Sequence, residues 1–150
     1  MSDELDAGKI PQELLSRFLD TLPKTDSTVL IGPRVGEDVA AVDVSSEEIL
    51  ILKSDPITFT AKQITEYAVV INANDIATSG ATPRWMLPTL LVPVGFSRRA
   101  LGDIFTEAVR VCERYNISLV GGHSEVTAAV NQPVLCGSIL GLLSVNGRLE

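Results

Sequence analysis

The chain has 150 residues, twelve Lys plus Arg against nineteen Asp plus Glu, and a formal charge of −7. That length fits one compact domain and is short for two, while 45% apolar and 21% charged residues supply a core and exclude disorder over most of the chain. The acidic balance argues against a general nucleic-acid binder, whose affinity rests on clustered Lys and Arg.

In chain order, Leu14, Leu15, Phe18, Leu19 and Leu22 recur with a helical period and predict an amphipathic helix over Pro11 to Leu22, closed by Pro23. Thr28 to Ile31 reads as a short strand and Gly32 to Gly36 as a loop. Val39 to Val44 and Ile49 to Lys53 then read as two strands of a hairpin. A buried helix is expected from Ala61 to Ser79, stopped by Gly80 with Pro83 just beyond. Met86 to Val94 reads as a strand. Ser97 is the N-cap of a helix to Tyr115, Ser118 to Val120 is a strand ending at Gly121-Gly122, and the last strand lies near Pro133 to Ser144.

This order implies a mixed α/β (α+β) sheet without internal repeats. Leu, Ile and Val on both alternations of the strands imply that both sheet faces are covered, one of them in part by a second subunit. The most apolar stretches, Tyr67 to Ile71 and Trp85 to Phe96, are too short to cross a bilayer, and the acidic N-terminus lacks the features of a signal peptide. A cytoplasmic protein with no membrane partner is expected. Cys112 and Cys136 lack a CxxC partner and read as small buried hydrophobes.

Four polar clusters interrupt this apolar chain: Glu37-Asp38, Asp55, Asn72 to Asp75, and His123-Ser124-Glu125. A charge near a core costs several kcal/mol unless it is paired or metal-bound. Each cluster has a plain reading beside the chemical one. Glu37-Asp38 fits a solvated turn, Asp55 a turn residue before Pro56, Asp75 an acceptor for loop amides, and Gly121-Gly122 a hairpin turn. On the expected helix, Asn72, Asp75 and Ser79 form one polar stripe, with Val69, Ala73, Ile76, Ala77 and Gly80 on the packing side. His123, the sole histidine, fits a structural role better than a metal ligand, and Glu125 is the better donor to a hard cation; alternation puts both on one face. Neither a GxxxxGK[ST] nor a GxGxxG loop occurs, so carboxylates holding Mg²⁺ are the available route to a nucleotide's phosphates.

In order and spacing, Gly36-Glu37-Asp38-Val39-Ala40-Ala41, Ser54-Asp55, Val70 to Ala81 with Asn72 and Asp75, and Val120-Gly121-Gly122-His123-Ser124-Glu125 resemble the N-terminal domain of the aminoimidazole ribonucleotide (AIR) synthetase superfamily. That superfamily includes thiamine-monophosphate kinase, selenophosphate synthetase and the hydrogenase maturation protein that dehydrates a carboxamide. The resemblance implies ATP and Mg²⁺ as cofactors and transfer of the terminal phosphate to an oxygen of a small-molecule substrate or carboxamide. It also implies a homodimer whose strands close a shared barrel. By position, Asp38, Asp55 and Asp75 match the family's metal acids, Asn72 its site asparagine, and Gly121 and Gly122 the glycines near the phosphates. Glu37 and His123 depart from the usual aspartates, so that His123 or Glu125 completes the metal set.

The division implied is a lead-in over 1–34, the ATP-binding domain over 35–150, and a C-terminal domain absent from this chain. The isolated piece is accordingly expected to be inactive, with no catalytic residue assigned. Within the superfamily, the hydrogenase-maturation-like form is favoured over a thiamine-monophosphate kinase-like transferase. The alternative from another class is a non-catalytic dimerisation or regulatory module that keeps the fold without nucleotide.

Overall fold

The computed structural model describes residues 7–23 and 26–144. Its elements are α1 (Gln12–Leu19), β1 (Val29–Ile31), β2 (Ala40–Asp43), β3 (Glu48–Ile57), α2 (Ile64–Thr78), β4 (Thr82–Met86), β5 (Thr89–Pro93), α3 (Arg98–Arg114), β6 (Ser118–Leu119), β7 (His123–Thr127) and β8 (Val134–Ser144). The strands form one eight-stranded mixed sheet in the order β1-β2-β3-β8-β4-β6, with β5 bridging β8 and β7. The mixed α/β class and the β2–β3 hairpin agree with the sequence.

The long strand β8 organises the sheet. β3 runs antiparallel along one of its edges for ten residues, from Glu48 opposite Ser144 to Ile57 opposite Leu135. β4 and β5 share the other edge. Their register with β8 is continuous across the interruption, Met86 facing Ile139 and Thr89 facing Cys136, with the Leu87 amide donating to the Ser138 carbonyl between them. The strand expected over Met86 to Val94 is thus split at Leu87-Pro88, since Pro88 has no amide hydrogen to give a ladder. Pro83, read as part of a helix stop, instead lies inside β4, where the register with β8 shifts between Pro83 and Trp85.

Helix α2 begins three residues later than expected because Gln63 takes a left-handed conformation (φ 54°), and it ends before Gly80 (φ 81°). It lies on β8 at two glycines four residues apart, hence on one face of the strand. A Cβ at Gly137 would stand 2.7 Å from Asn72 Nδ2 and 2.9 Å from the Ala68 carbonyl, and one at Gly141 would stand 2.5 Å from Ile76 Cγ2. The face of α2 that meets the sheet is therefore Ala68, Asn72 and Ile76. This corrects the division drawn from the sequence: Asn72 sits in the middle of the packing face, fully buried, whereas Ala77 and Gly80 are exposed. Residues 68, 72 and 76 repeat every four positions along the helix and must share one side, whatever their polarity.

α3 starts at Ser97, whose hydroxyl accepts the Ala100 amide as expected of an N-cap. It packs beside α2, joined at its end by Arg114 and Tyr115, both bonding Glu66 at 3.1 Å. The core lies between these helices and the sheet: Ile49, Ile51, Ile57, Ile64, Val69, Ile76, Met86, Val111 and Ile139 are all buried. Among the described residues, helices cover only that face. On the opposite face Val42, Leu50, Leu52, Leu140 and Leu142 remain half-buried in the single chain, because consecutive strand residues alternate sides and no described helix crosses there. Cys112 is buried, whereas Cys136 lies half-buried on this second face with its Sγ 3.3 Å from Ser54 Oγ, so only the first fits the expectation of a core thiol. No helix among the described residues is long and apolar enough to cross a membrane.

Candidate functional site

The helix-facing row of β3 reads Ile49, Ile51, Lys53, Asp55, Ile57, so two charges interrupt a buried apolar row. β2 pairs with β3 only as far as Leu52. Beyond that point the side chain of Asn72 serves Asp55 as a strand partner would. Its Oδ1 accepts the Asp55 amide at 2.7 Å, and its Nδ2 donates to the Asp55 carbonyl at 3.3 Å and to the Ala68 carbonyl at 2.8 Å. Asn72 thus fixes the backbone of β3 to α2 at Asp55. Both Nδ2 hydrogens and one acceptor position of Oδ1 are occupied within the protein.

One turn along α2, Asp75 reaches the same place. The Lys53 ammonium lies 3.1 Å from Asp55 Oδ2 and 2.9 Å from Asp75 Oδ2. The lysine side chain is only 7% exposed, against 44% for Asp55 and 27% for Asp75. Burial pulls the ammonium's pKa down, but the hydrogen bonds and charges of Asp75 and Asp55 outweigh it and raise the pKa above its ordinary value of 10.5. The cluster carries a net charge of −1, with carboxylates open to solvent on one side and a buried cation beneath.

Lys53 was not singled out from the sequence, where it reads as the last residue of an apolar strand. The available signal was its alternation with Ile49 and Ile51, which places a lysine on the core side of β3. Asp38 lies exposed in the loop before β2, two residues ahead of Ala40, which pairs with Leu52. It emerges near the same end of β3 but is no part of the Lys53 cluster. The neighbouring Glu37 pairs with Arg34.

The second pair of expected ligands lies elsewhere. His123 and Glu125 are exposed neighbours on β7, with Nε2 and Oε2 3.2 Å apart, as their alternation implied. Through the register His123–Thr89–Cys136 they share the sheet face that no described helix covers, opposite Asp55. Gly121 and Gly122 connect β6 to β7 at the point where the neighbouring strand is interrupted. A Cβ on Gly122 would stand 2.5 Å from the Pro88 carbonyl oxygen, and its φ of 145° is one that residues with a side chain rarely adopt, so packing and backbone conformation both call for glycine.

Among the described residues, no three His, Cys, Asp or Glu side chains stand together as a metal-ligating group. Magnesium is commonly held by one or two carboxylates, with water and substrate phosphates completing its shell. Asp55 and Asp75 offer hard, part-exposed oxygens held toward one point, so their donor chemistry fits Mg²⁺ bound together with phosphate.

Comparison with known proteins agrees with this architecture. Residues 36–143 match the family model for the AIR synthase related protein, N-terminal domain. A putative hydrogenase expression/formation protein of Methanocaldococcus jannaschii is 26% identical over 141 residues, covering 91% of this chain and 42% of the relative. A thiamine-monophosphate kinase of Buchnera aphidicola is 24% identical over 118 residues, covering 73% and 36% respectively. The solved structure of AaThiL complexed with AMPPCP and TMP superposes with a TM-score of 0.66 at 20% identity, over 87% of this chain and 40% of that one. The chain spans 36–42% of the length of these two curated relatives. With the family model matched over most of its length, the chain belongs to the AIR synthase related family through that family's N-terminal domain.

Proposed function

We propose that this chain is the ATP- and Mg²⁺-binding domain of an enzyme that moves the terminal phosphate of ATP to an oxygen of a small substrate or carboxamide. The observation carrying the proposal is the convergence of Asp55 and Asp75 on the Lys53 ammonium. Two carboxylates and a cation brought together from β3 and α2, with the carboxylates part-exposed, suit a metal–phosphate ligand. AaThiL, which shares the fold, was solved with AMPPCP, whose three phosphorus groups match those of ATP.

In the transfer, the bond between the terminal phosphorus and its bridging oxygen breaks as the acceptor oxygen bonds to phosphorus, and ADP leaves. A bound divalent ion would neutralise phosphate charge as this occurs. The chain's own part is to fix the carboxylates: Asn72 locks the Asp55 backbone, and Lys53 aligns Asp55 with Asp75. Asp38, His123 and Glu125 are proposed as further metal or phosphate contacts, with Gly121 and Gly122 beside the phosphates. A second copy of the chain would complete the site and cover the half-buried sheet face. The relatives include both a putative hydrogenase expression/formation protein and thiamine-monophosphate kinases, so the acceptor is proposed from these two classes, the hydrogenase-maturation-like one first.

The second reading, a dimerisation module without nucleotide, is favoured by the absence of a three-ligand group among the described residues. Calorimetry with AMPPCP and Mg²⁺ separates the two. The enzyme reading expects saturable heat from the wild-type chain and a loss of at least about ten-fold in affinity for Asp75→Ala. A folded wild-type protein giving no heat would leave the module.

A further inference from the structure

We infer that Lys53 is a built-in counter-ion that keeps a free divalent cation away from Asp55 and Asp75, so that metal enters only as a complex with a phosphate-bearing ligand. The inference rests on the nucleotide reading and names the form of ligand that the same site admits.

The geometry is specific. The ammonium is 2.9 and 3.1 Å from one oxygen of each carboxylate and is shielded from solvent on its own side. It stands between the two acids, where a cation shared by both would otherwise sit. With Lys53 present the three side chains sum to −1; without it the same two acids sum to −2. A divalent ion approaching alone meets two carboxylates already engaged and a positive charge behind them, repelled at short range in a medium less polarisable than water. Magnesium also gives up its water reluctantly, so a weakly anionic site has little hold on it.

A metal–phosphate complex differs because it carries anionic oxygens of its own. These can take up the ammonium while the carboxylates turn to the metal, and every charge keeps an opposite partner. Lys53 is thereby a specificity-determining residue, and the Asn72 clamp on Asp55 keeps the triad from relaxing apart.

The test is direct titration of Mn²⁺, a reporter for Mg²⁺, followed by loss of the free-ion paramagnetic resonance signal. It uses wild type, Lys53→Met and the double variant Lys53→Met with Asp75→Asn, all without nucleotide. Wild type is expected to leave the free signal unchanged at about 0.1 mM metal, Lys53→Met to bind at least about ten-fold more tightly, and the double variant to lose that gain. Wild-type binding as tight as that of Lys53→Met overturns the inference, and so does a Lys53→Met protein that melts cooperatively yet gains nothing. If Lys53→Met does not fold, Lys53→Gln takes its place, and micromolar Mn²⁺ binding by wild type alone is still decisive against.

Calorimetry with AMPPCP and Mg²⁺ on wild type keeps the two claims apart. Nucleotide binding without a gain in Lys53→Met removes the counter-ion role only. A gain in Lys53→Met without nucleotide binding removes the nucleotide reading and leaves Lys53 as the guard of a metal site.

Discussion

The side chain of Asn72 holds both backbone polar groups of Asp55, accepting from its amide at 2.7 Å and donating to its carbonyl at 3.3 Å, from a fully buried position on α2. A helix side chain thus does here what an adjacent strand does elsewhere in the sheet. Replacing Asn72 with Ala or Leu leaves two part-buried backbone groups of Asp55 without this partner. The expected loss is about 2–4 kcal/mol, at one to three for each orphaned group less whatever water recovers. Urea unfolding checks the magnitude. A loss below about 0.5 kcal/mol would mean that the clamp is dispensable.

The seat of α2 on β8 makes a paired prediction with opposite signs. At Gly137 an added methyl meets Asn72 and the Ala68 backbone at 2.7 and 2.9 Å, and a backbone atom cannot yield as a flexible side chain can. Gly137→Ala should cost about 2 kcal/mol or more, through overpacking and a displaced Asn72. Gly102 lies inside α3 with open space around its would-be Cβ. Gly102→Ala should instead stabilise by about 0.5–1 kcal/mol, since alanine loses less backbone freedom in a helix. Thermal melts of the two variants decide between helix propensity and contact geometry.

Much of this arrangement is legible in the sequence, and the misses share a cause. The α3 start at Ser97, the Gly80 stop and the last strand follow from capping chemistry and periodicity, which act within a few residues. Lys53 and Asn72 are different. Each is a polar residue at a core-facing position, and what satisfies it lies on another element: Asp75 for Lys53, the Asp55 backbone for Asn72. Local patterning assigns polar residues to an outer stripe, and so placed Asn72 opposite Ile76. The glycines of β8 were missed for a similar reason, since a glycine that receives a helix looks in one dimension like any other strand residue. Asp55 and Asp75 were legible as candidates. That they meet through a lysine is a fact of topology.

Alkaline stability carries the mark of two groups. Burial pushes the Cys112 thiol above its ordinary value of 9.0, so the folded state holds that proton longer than the unfolded chain does. Its contribution is fully present below pH 9 and is lost as pH rises through the folded value. Lys53 is likewise raised, above 10.5, and its contribution declines in a higher window. Urea midpoints from pH 7 to about 11.5 should therefore fall above 9 in wild type, and less steeply in Cys112→Ala. Lys53→Met should flatten the part of the fall that lies above about 10.5. An identical slope in Cys112→Ala between pH 9 and 10 would show that the thiol is not the group responsible.

The face of the sheet opposite the helices bears on the proposed dimer. Leu52 pairs across strands with Ala40 and Leu140, and Leu50 with Val42 and Leu142, so the half-buried residues form one contiguous apolar patch rather than scattered exposures. A charge at its centre distinguishes a covered face from a solvated one. If a second copy covers the patch, Leu52→Glu buries an unpaired carboxylate at the interface, which costs several kcal/mol and raises the dimer dissociation constant by more than about 100-fold. Sedimentation velocity at tens of micromolar would then show wild type as a dimer and Leu52→Glu as a folded monomer. If the face is solvated, the same substitution exchanges a half-buried apolar side chain for a charge that water can reach, with a stability loss of about 1 kcal/mol and no change in sedimentation. The nucleotide titration should follow the oligomer, because a site completed by the partner copy weakens when Leu52→Glu separates the two. Unchanged AMPPCP affinity in a monomeric Leu52→Glu protein would place the whole site within one chain.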